Sequence, residues 1–429
     1  MSAPIEKKGD PESPRIQSSD GQQRQDQPDN SNKWHTPRSN IFRVFTTFWI
    51  FLIMGANDAA YGALLPYLQE YYSISHMVVS VVFISPLVGY VLAALLNNKL
   101  HRTLGERGIA IIAPICHLIA YIISCVHPPY PALVVAYIFA GTANGLHEAA
   151  WNTYIGNMEN STEILGLLHG VYGLGAVISP LVATNLVTRA DVPWYYFYYF
   201  MIAISAVSAA ICPLAFRQFS GAAYRKTRQA SSEAQGGLRD ALFSRTAART
   251  SWLCAFLLAS YVGVEVTIGG WVVTLMLEVR NAAANPAGMT ATGYWLGITV
   301  GRVVLGFVTA RIGAKVATSL YIILSIVFAL IFWLVPHFLV SAVAVAIQGF
   351  FLGPLFPSVV VVMTQLLPKH LHVPAIGFVA AFGGGGAAVL PFVAGAIAEE
   401  SGVEDLFPFI VGMSVAILVL WLALPRLKM

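Results

Sequence analysis

The chain has 429 residues, 57% hydrophobic and 11% charged, with 25 Lys and Arg against 21 Asp and Glu for a net charge of +4, and its mean hydropathy is +0.67. Soluble domains carry about a quarter charged residues, so this apolar excess excludes a soluble globular protein and implies a polytopic membrane protein whose surface faces the lipid bilayer. The basic surplus lies in short loops beside apolar runs, where membrane topology accounts for it and nucleic acid is not needed as a partner.

Residues 1–40 are polar and rich in Ser, Gln, Asp and Pro. They lack the apolar core of a signal peptide and predict a disordered cytosolic tail. Apolar runs of about twenty residues then follow at 43–67, 75–97, 108–126, 131–156, 164–188 and 194–216, and again at 251–277, 290–311, 315–335, 338–363, 373–398 and 406–425. The reading is an all-α membrane protein of twelve transmembrane helices in two parallel six-helix repeats. An N-terminal bundle (41–216) and a C-terminal bundle (251–425) are joined by a basic cytosolic linker (217–250), with a short cytosolic C-terminus (426–429). The linker holds Arg217, Arg225, Lys226, Arg228, Arg239, Arg245 and Arg249.

The loops set the expected orientation. Even gaps carry Lys99, Arg102 and Arg107, then the linker, then Arg311, Lys315 and Lys369, whereas odd gaps carry only Arg189 and Arg280. Both termini are therefore expected in the cytosol. The nominal glycosylation acceptor Asn160 falls in a cytosolic gap and is expected to be unmodified. The four cysteines, Cys116, Cys125, Cys212 and Cys254, show no CxxC spacing and read as small hydrophobes in helices.

An internal repeat supports the division into halves. A shift of 208 residues superposes Gly55, Gly62, Gly89, Gly105, Gly141 and Gly145 on Gly263, Gly270, Gly297, Gly313, Gly349 and Gly353. A shift of 211 superposes Gly166, Gly173, Gly175 and Pro180 on Gly377, Gly384, Gly386 and Pro391. These glycines read as packing surfaces, since no strand precedes them to make a phosphate cradle.

Charged and amide side chains inside the spans carry the chemistry. The first span places Asn57 and Asp58 about fifteen residues, roughly 22 Å of helix, beyond Arg43. A carboxylate at that depth costs on the order of 3 kcal/mol on insertion scales, so it needs a partner or a water-filled cavity, and the default is a transport site. In the fourth span Asn144, Glu148, Trp151 and Asn152 recur at three- and four-residue spacing, so Glu148 shares a face with two amides and an indole. Burial and a like neighbour both disfavour the charged form of Asp58 and Glu148, and a group so poised loads and releases protons. The structural alternative is that both carboxyls lock the first helix to the fourth. Glu265 is the repeat counterpart of Asn57 and is expected to bind solute hydroxyls, assist coupling, or pair with Arg302. Asn57, Tyr61, Asn144, Trp151, Asn152, His169, Tyr172, Glu265, Trp271, Arg302 and Gln348 are the candidate solute ligands, and His147 lies one residue off the Glu148 stripe.

The twelve spans, the basic linker and the parallel repeat resemble the major facilitator superfamily, whose halves rock about a midplane site. Gly297, Arg302, Gly306, Arg311, Gly313 and Lys315 give a recognisable version of its loop signature, while Gly89, Asn97, Lys99, Arg102, Gly105 and Arg107 give one that lacks the usual acid. A sharper resemblance is to the fucose permease-like branch of sugar and proton symporters, including its fungal members. Gly55, Asn57, Asp58, Tyr61, Gly62 and Pro66 carry it first, then Asn144, Gly145, Glu148, Asn152 and Gly156. Further on it rests on Leu167, His169, Gly170, Tyr172, Gly173, Gly175, Ser179 and Pro180, and on Tyr261, Gly263, Glu265 and Trp271. That resemblance implies proton handling by Asp58 and Glu148.

The expectation is a secondary transporter of a small polar solute, a sugar or related polyol, coupled to protons, in the plasma membrane by default, acting as a monomer without a cofactor. The alternatives are a facilitator or uniporter of another small metabolite, or a membrane sensor that binds solute without moving it. With no nucleophile, metal cluster or HExxH motif to support one, an enzyme is not expected.

Overall fold

A computed structural model of the chain describes residues 33–159, 161–230, 242–244, 247–368 and 371–425. The tail expected at 1–40 lies outside them as far as residue 32, as do Asn160, Lys369, residues 426–429 and parts of the linker (231–241 and 245–246).

Eleven described helices are long and apolar enough to cross a membrane. We number the spans α1 (Arg38–Tyr72), α2 (His76–Thr103), α3 (Glu106–Cys125), α4 (Tyr130–Gly156), α5 (Ser161–Thr188), α6 (Tyr196–Ala215), α7 (Ala248–Glu278), α8 (Ala284–Ile312), α9 (Ala314–Leu334), α10 (Phe338–Leu366), α11 (His372–Ser401) and α12 (Leu406–Ala423). The one outside the eleven is α4, of 27 residues, whose second half carries Asn144, His147, Glu148 and Asn152. The helix least suited to lipid is therefore the one bearing the polar stripe.

Local chemistry sets the ends. Ser73 closes α1 in the left-handed conformation, φ 49°, its N–H reaching the carbonyls of Gln69 and Glu70. Six residues earlier than the apolar run suggests, α8 begins at Ala284, because Pro286 is tolerated in a first turn that has no intrahelical N–H bond to lose. Helix α10 breaks between Leu352 and Leu355, at Gly353 and Pro354. Arg280, the basic residue of an odd gap, is a cap: it donates to the carbonyls of Phe332 and Trp333 at the end of α9 and to Ser341 Oγ at 2.9 Å.

The packing of one half is repeated in the other. Helix α1 lies on α5, α2 on α4, and α3 against α4 and α6; correspondingly α7 lies on α11, α8 on α10, and α9 against α10 and α12. At Gly89 a Cβ would sit 2.2 Å from the Ile138 carbonyl oxygen, and at Gly297 it would sit 2.0 Å from that of Ala346, so both partners obey the same 208-residue shift. Helices packed this closely gain dispersion and weak backbone contacts in place of the hydrophobic drive that lipid removes. Gly105 (φ 72°) and Gly313 (φ 85°) make the same left-handed turn in each half.

The halves meet through α1 and α7, α2 and α11, and α5 and α8. Polar contacts between them lie on the side opposite the chain ends: Asn285 Nδ2 donates to Thr188 Oγ1 at 2.8 Å, and His76 Nε2 stands 3.6 Å from Glu278 Oε2. Towards the side that carries both chain ends, a Cβ at Gly166, Gly170, Gly377 or Gly384 would meet none of the described residues within 4 Å. The molecule is thus sealed on one side and splayed on the other.

Candidate solute and proton site

Asp58, half-buried on α1, is the hub of the N-terminal half. Its Oδ1 accepts from Asn57 Nδ2 and from Asn144 Nδ2, each at 2.9 Å, and its Oδ2 accepts from Tyr172 O–H at 2.8 Å. Three donors from α1, α4 and α5 thus converge on one carboxyl group, as an ionised acceptor requires.

A second layer orients those donors. Tyr121 O–H donates to Asn57 Oδ1 at 3.0 Å, which fixes the amide so that its nitrogen reaches both Asp58 and, at 3.1 Å, the Tyr61 hydroxyl. His117 Nε2 lies 2.9 Å from Asn144 Oδ1. Since Asn144 gives its N–H to Asp58, its oxygen is the acceptor, and His117 carries its proton on Nε2. His117 and Tyr121 stack on each other one turn apart on α3, 5.5 Å between centroids. Sequence reasoning missed both; the signal was a polar pair four residues apart in an otherwise apolar span.

Glu148 is half-buried one turn beyond Asn144, towards the open side, and it accepts no hydrogen bond among the described residues. Asp58 is held and Glu148 is free. This difference separates a fixed acceptor from a half-buried carboxyl with no hydrogen-bonded neighbour among the described residues.

The C-terminal half contributes an ion pair. Arg302 Nη2 on α8 meets Glu265 Oε1 on α7 at 2.7 Å, and Arg302 Nε donates to the Gly353 carbonyl at 3.3 Å. Among the described residues Glu265 Oε2 is buried without a partner, as are both amide atoms of Gln348 and the indole nitrogen of Trp295, the last packed against Gly269. Trp295 was not among the residues the sequence suggested.

Other candidates occupy different surroundings. Trp151 is fully buried, donates to His147 Nδ1 at 2.8 Å and stacks on Phe216 at 4.2 Å, and His147 packs in turn on His117 behind the Asp58 network at 5.6 Å. Trp271 is equally buried and donates to the Pro391 carbonyl at 3.0 Å, joining α7 to α11. His169 is half-buried with its ring edge-on to Phe51 at 5.5 Å. Asn152 is half-buried on α4. Among the described residues no group of three His, Cys, Asp or Glu is placed to hold a metal ion.

Two parallel six-helix units, sealed on one side and enclosing polar groups at mid-depth, define a multi-pass membrane transporter. The Major Facilitator Superfamily model matches residues 47–283 and 253–428, and the chain belongs to that superfamily. Bypass of stop codon protein 6 of Saccharomyces cerevisiae is 29% identical over 412 residues, spanning 90% of this chain and 82% of that protein. The glucose/mannose transporter GlcP of Bacillus subtilis is 21% identical over 352 residues, 80% of this chain and 85% of its own. The crystal structure of a D-xylose-proton symporter superposes with a TM-score of 0.73 at 14% identity, over 90% of this chain and 98% of that one. That of the E. coli fucose:proton symporter gives 0.59 at 15%, over 89% and 97%. At such identities the two structures share the fold.

Proposed function

We propose that this transporter moves a small polar solute, a sugar or related polyol, by alternating access, and that Asp58 and Glu148 couple it to protons. The observation that carries the reading is the pairing of a carboxyl held by three donors with a free carboxyl on the path to the open side. Protonating Asp58 on Oδ2 turns that acceptor position into a donor, so the Tyr172 hydroxyl must turn to accept or leave, and the tie between α1 and α5 is reversed or lost. Glu148, exposed to cavity water, relays the proton to the open side.

Solute is bound between the halves. Glu265 Oε2, the Gln348 amide and the Trp295 indole supply acceptors and donors that lack partners, and a polyol hydroxyl satisfies both kinds. From the N-terminal half, Tyr172, Asn57 and Tyr61 offer hydroxyls and an amide. The names of the glucose/mannose and D-xylose relatives agree with this class of solute. The rigid bodies are assigned to 41–216 and 251–425, with 217–250 as a cytosolic linker. The open side is assigned to the cytosol, where the basic loops lie, and the membrane to the plasma membrane.

The test is reconstitution in liposomes. Asp58→Asn is expected to abolish uphill accumulation driven by a pH gradient while leaving sugar counterflow intact. Accumulation at the parent rate would remove Asp58 from coupling. Counterflow without accumulation in the parent protein would leave a uniporter, and counterflow with none of the hexoses, deoxyhexoses or polyols would discard the solute class.

A further inference from the structure

Lys99 and Arg102 sit at the end of α2 on the side that carries the chain termini. With Leu95 and Thr103 they line a surface recess of about 350 Å³. Gly89 and Ala93 turn towards α4, against Ile138 and Gly145. Leu95, Lys99 and Arg102 occupy the opposite face and are exposed. Above them on that face Val88, Val91 and Leu92 are exposed, and Leu95 is 73% exposed. Among the described residues neither the Lys99 ammonium nor the Arg102 guanidinium has a hydrogen-bonded or ion-paired partner. The linker helix (Gly221–Ala230) brings a third cation, because the Arg225 guanidinium donates to the Arg102 carbonyl. The other half lacks this arrangement: 208 residues on, Phe307 and Ala310 stand where Lys99 and Arg102 stand here.

We propose that this recess binds the head group of an anionic phospholipid, its phosphate held by Lys99 and Arg102 and its acyl chain lying along Leu95, Leu92 and Val88. The cations end an exposed apolar column of Leu95, Leu92 and Val88, which a soluble anion has no use for, and this selects a lipid over a soluble phosphate. Charge selects an anionic over a zwitterionic lipid, since among the described residues no carboxylate lines the recess to meet a choline or ethanolamine. The cytosolic leaflet supplies such lipids, and juxtamembrane Lys and Arg are the groups that read them; this assignment of leaflet rests on the orientation proposed above. Arg225 links the site to the linker, so head-group binding also pins the linker helix to the α2–α3 turn.

The experiment titrates the full-length protein in neutral detergent with phosphatidylserine, phosphatidylcholine and glycerol 3-phosphate, reading retained molecules by native mass spectrometry and the shift in Tm. Phosphatidylserine is expected to bind at least about tenfold more tightly than phosphatidylcholine and to weaken as salt rises. Lys99→Gln with Arg102→Gln is expected to weaken phosphatidylserine about twenty-five-fold, roughly fivefold per cation. Lys99→Arg with Arg102→Lys keeps both charges and is expected to retain binding, so a fold defect in the first pair does not hide the result. Equal binding of the two lipids by the parent, or full retention by the glutamine pair, overturns the proposal. Saturation by glycerol 3-phosphate at the concentrations that suffice for the lipid overturns the lipid source.

Discussion

Glu265 and Arg302 form a 2.7 Å ion pair in which one carboxylate oxygen is used and the other has no partner. Breaking a buried pair from one side strands a charge, at a cost of about 3–5 kcal/mol, whereas replacing both partners is often nearly neutral. Arg302→Met is therefore expected to lower the Tm of the purified protein sharply, and Arg302→Met with Glu265→Gln to recover most of the loss. Failure of the second change to rescue the first would mean that Glu265 is not the group Arg302 neutralises. The pair was one of three roles the sequence left open for Glu265, because a shift of 208 residues places it beside the cleft without saying what it faces. Trp151 and Trp271 show the same limit. Spacing puts Trp151 on the Glu148 stripe, yet its indole turns to His147 one turn earlier on α4 and to Phe216 just past the end of α6.

At the scale of the helix, small residues and polar stripes are the informative features. Pairs α2–α4 and α8–α10 pack through glycines whose missing Cβ atoms leave room for a carbonyl of the partner. Gly89→Val and Gly297→Val are each expected to destabilise the protein by at least about 1–3 kcal/mol, the range for overpacking, since backbone cannot yield as a side chain does. Thermal unfolding checks this, and a tolerated valine at either place would contradict the close approach. Gly306→Ala, in open space on α8, is the matched control. Helix α4 was legible for a different reason. Its amides and Glu148 leave it without the long apolar window that the other eleven spans have, and only a partner such as Asp58 or a cavity makes that sequence tenable in a bilayer.

For the whole molecule, the sealed and splayed sides predict an accessibility pattern. Gly166→Cys and Gly377→Cys, both facing open space, are expected to react with a membrane-impermeant thiol reagent applied to the side of the chain termini. Thr184→Cys, buried against Gly288 of the other half, is expected to stay unlabelled from either side. Of the native thiols Cys125, Cys212 and Cys254 are buried, and the half-buried Cys116 is replaced by Ala in this background. Labelling of the Thr184 variant at the same rate as the others would mean that the two halves do not close on that side. Addition of solute is expected to slow labelling of the open-side cysteines if it drives the halves together, which ties this measurement to transport.

The sequence by itself determined that the chain lives in a membrane, the number of its crossings, its division into two copies of one unit and the depth of Asp58. Each of these follows from hydropathy, glycine spacing and the cost of burying charge, which are local or periodic quantities. Only the tertiary structure decided that Asp58 is held by Asn57, Asn144 and Tyr172 while Glu148 is free, that His117 and Tyr121 stand behind them, and that Glu265 pairs with Arg302. Those choices depend on which helix faces lie opposite one another, and the face a side chain meets is set by a helix remote in the chain, 86 residues away for Asn144 and Asp58.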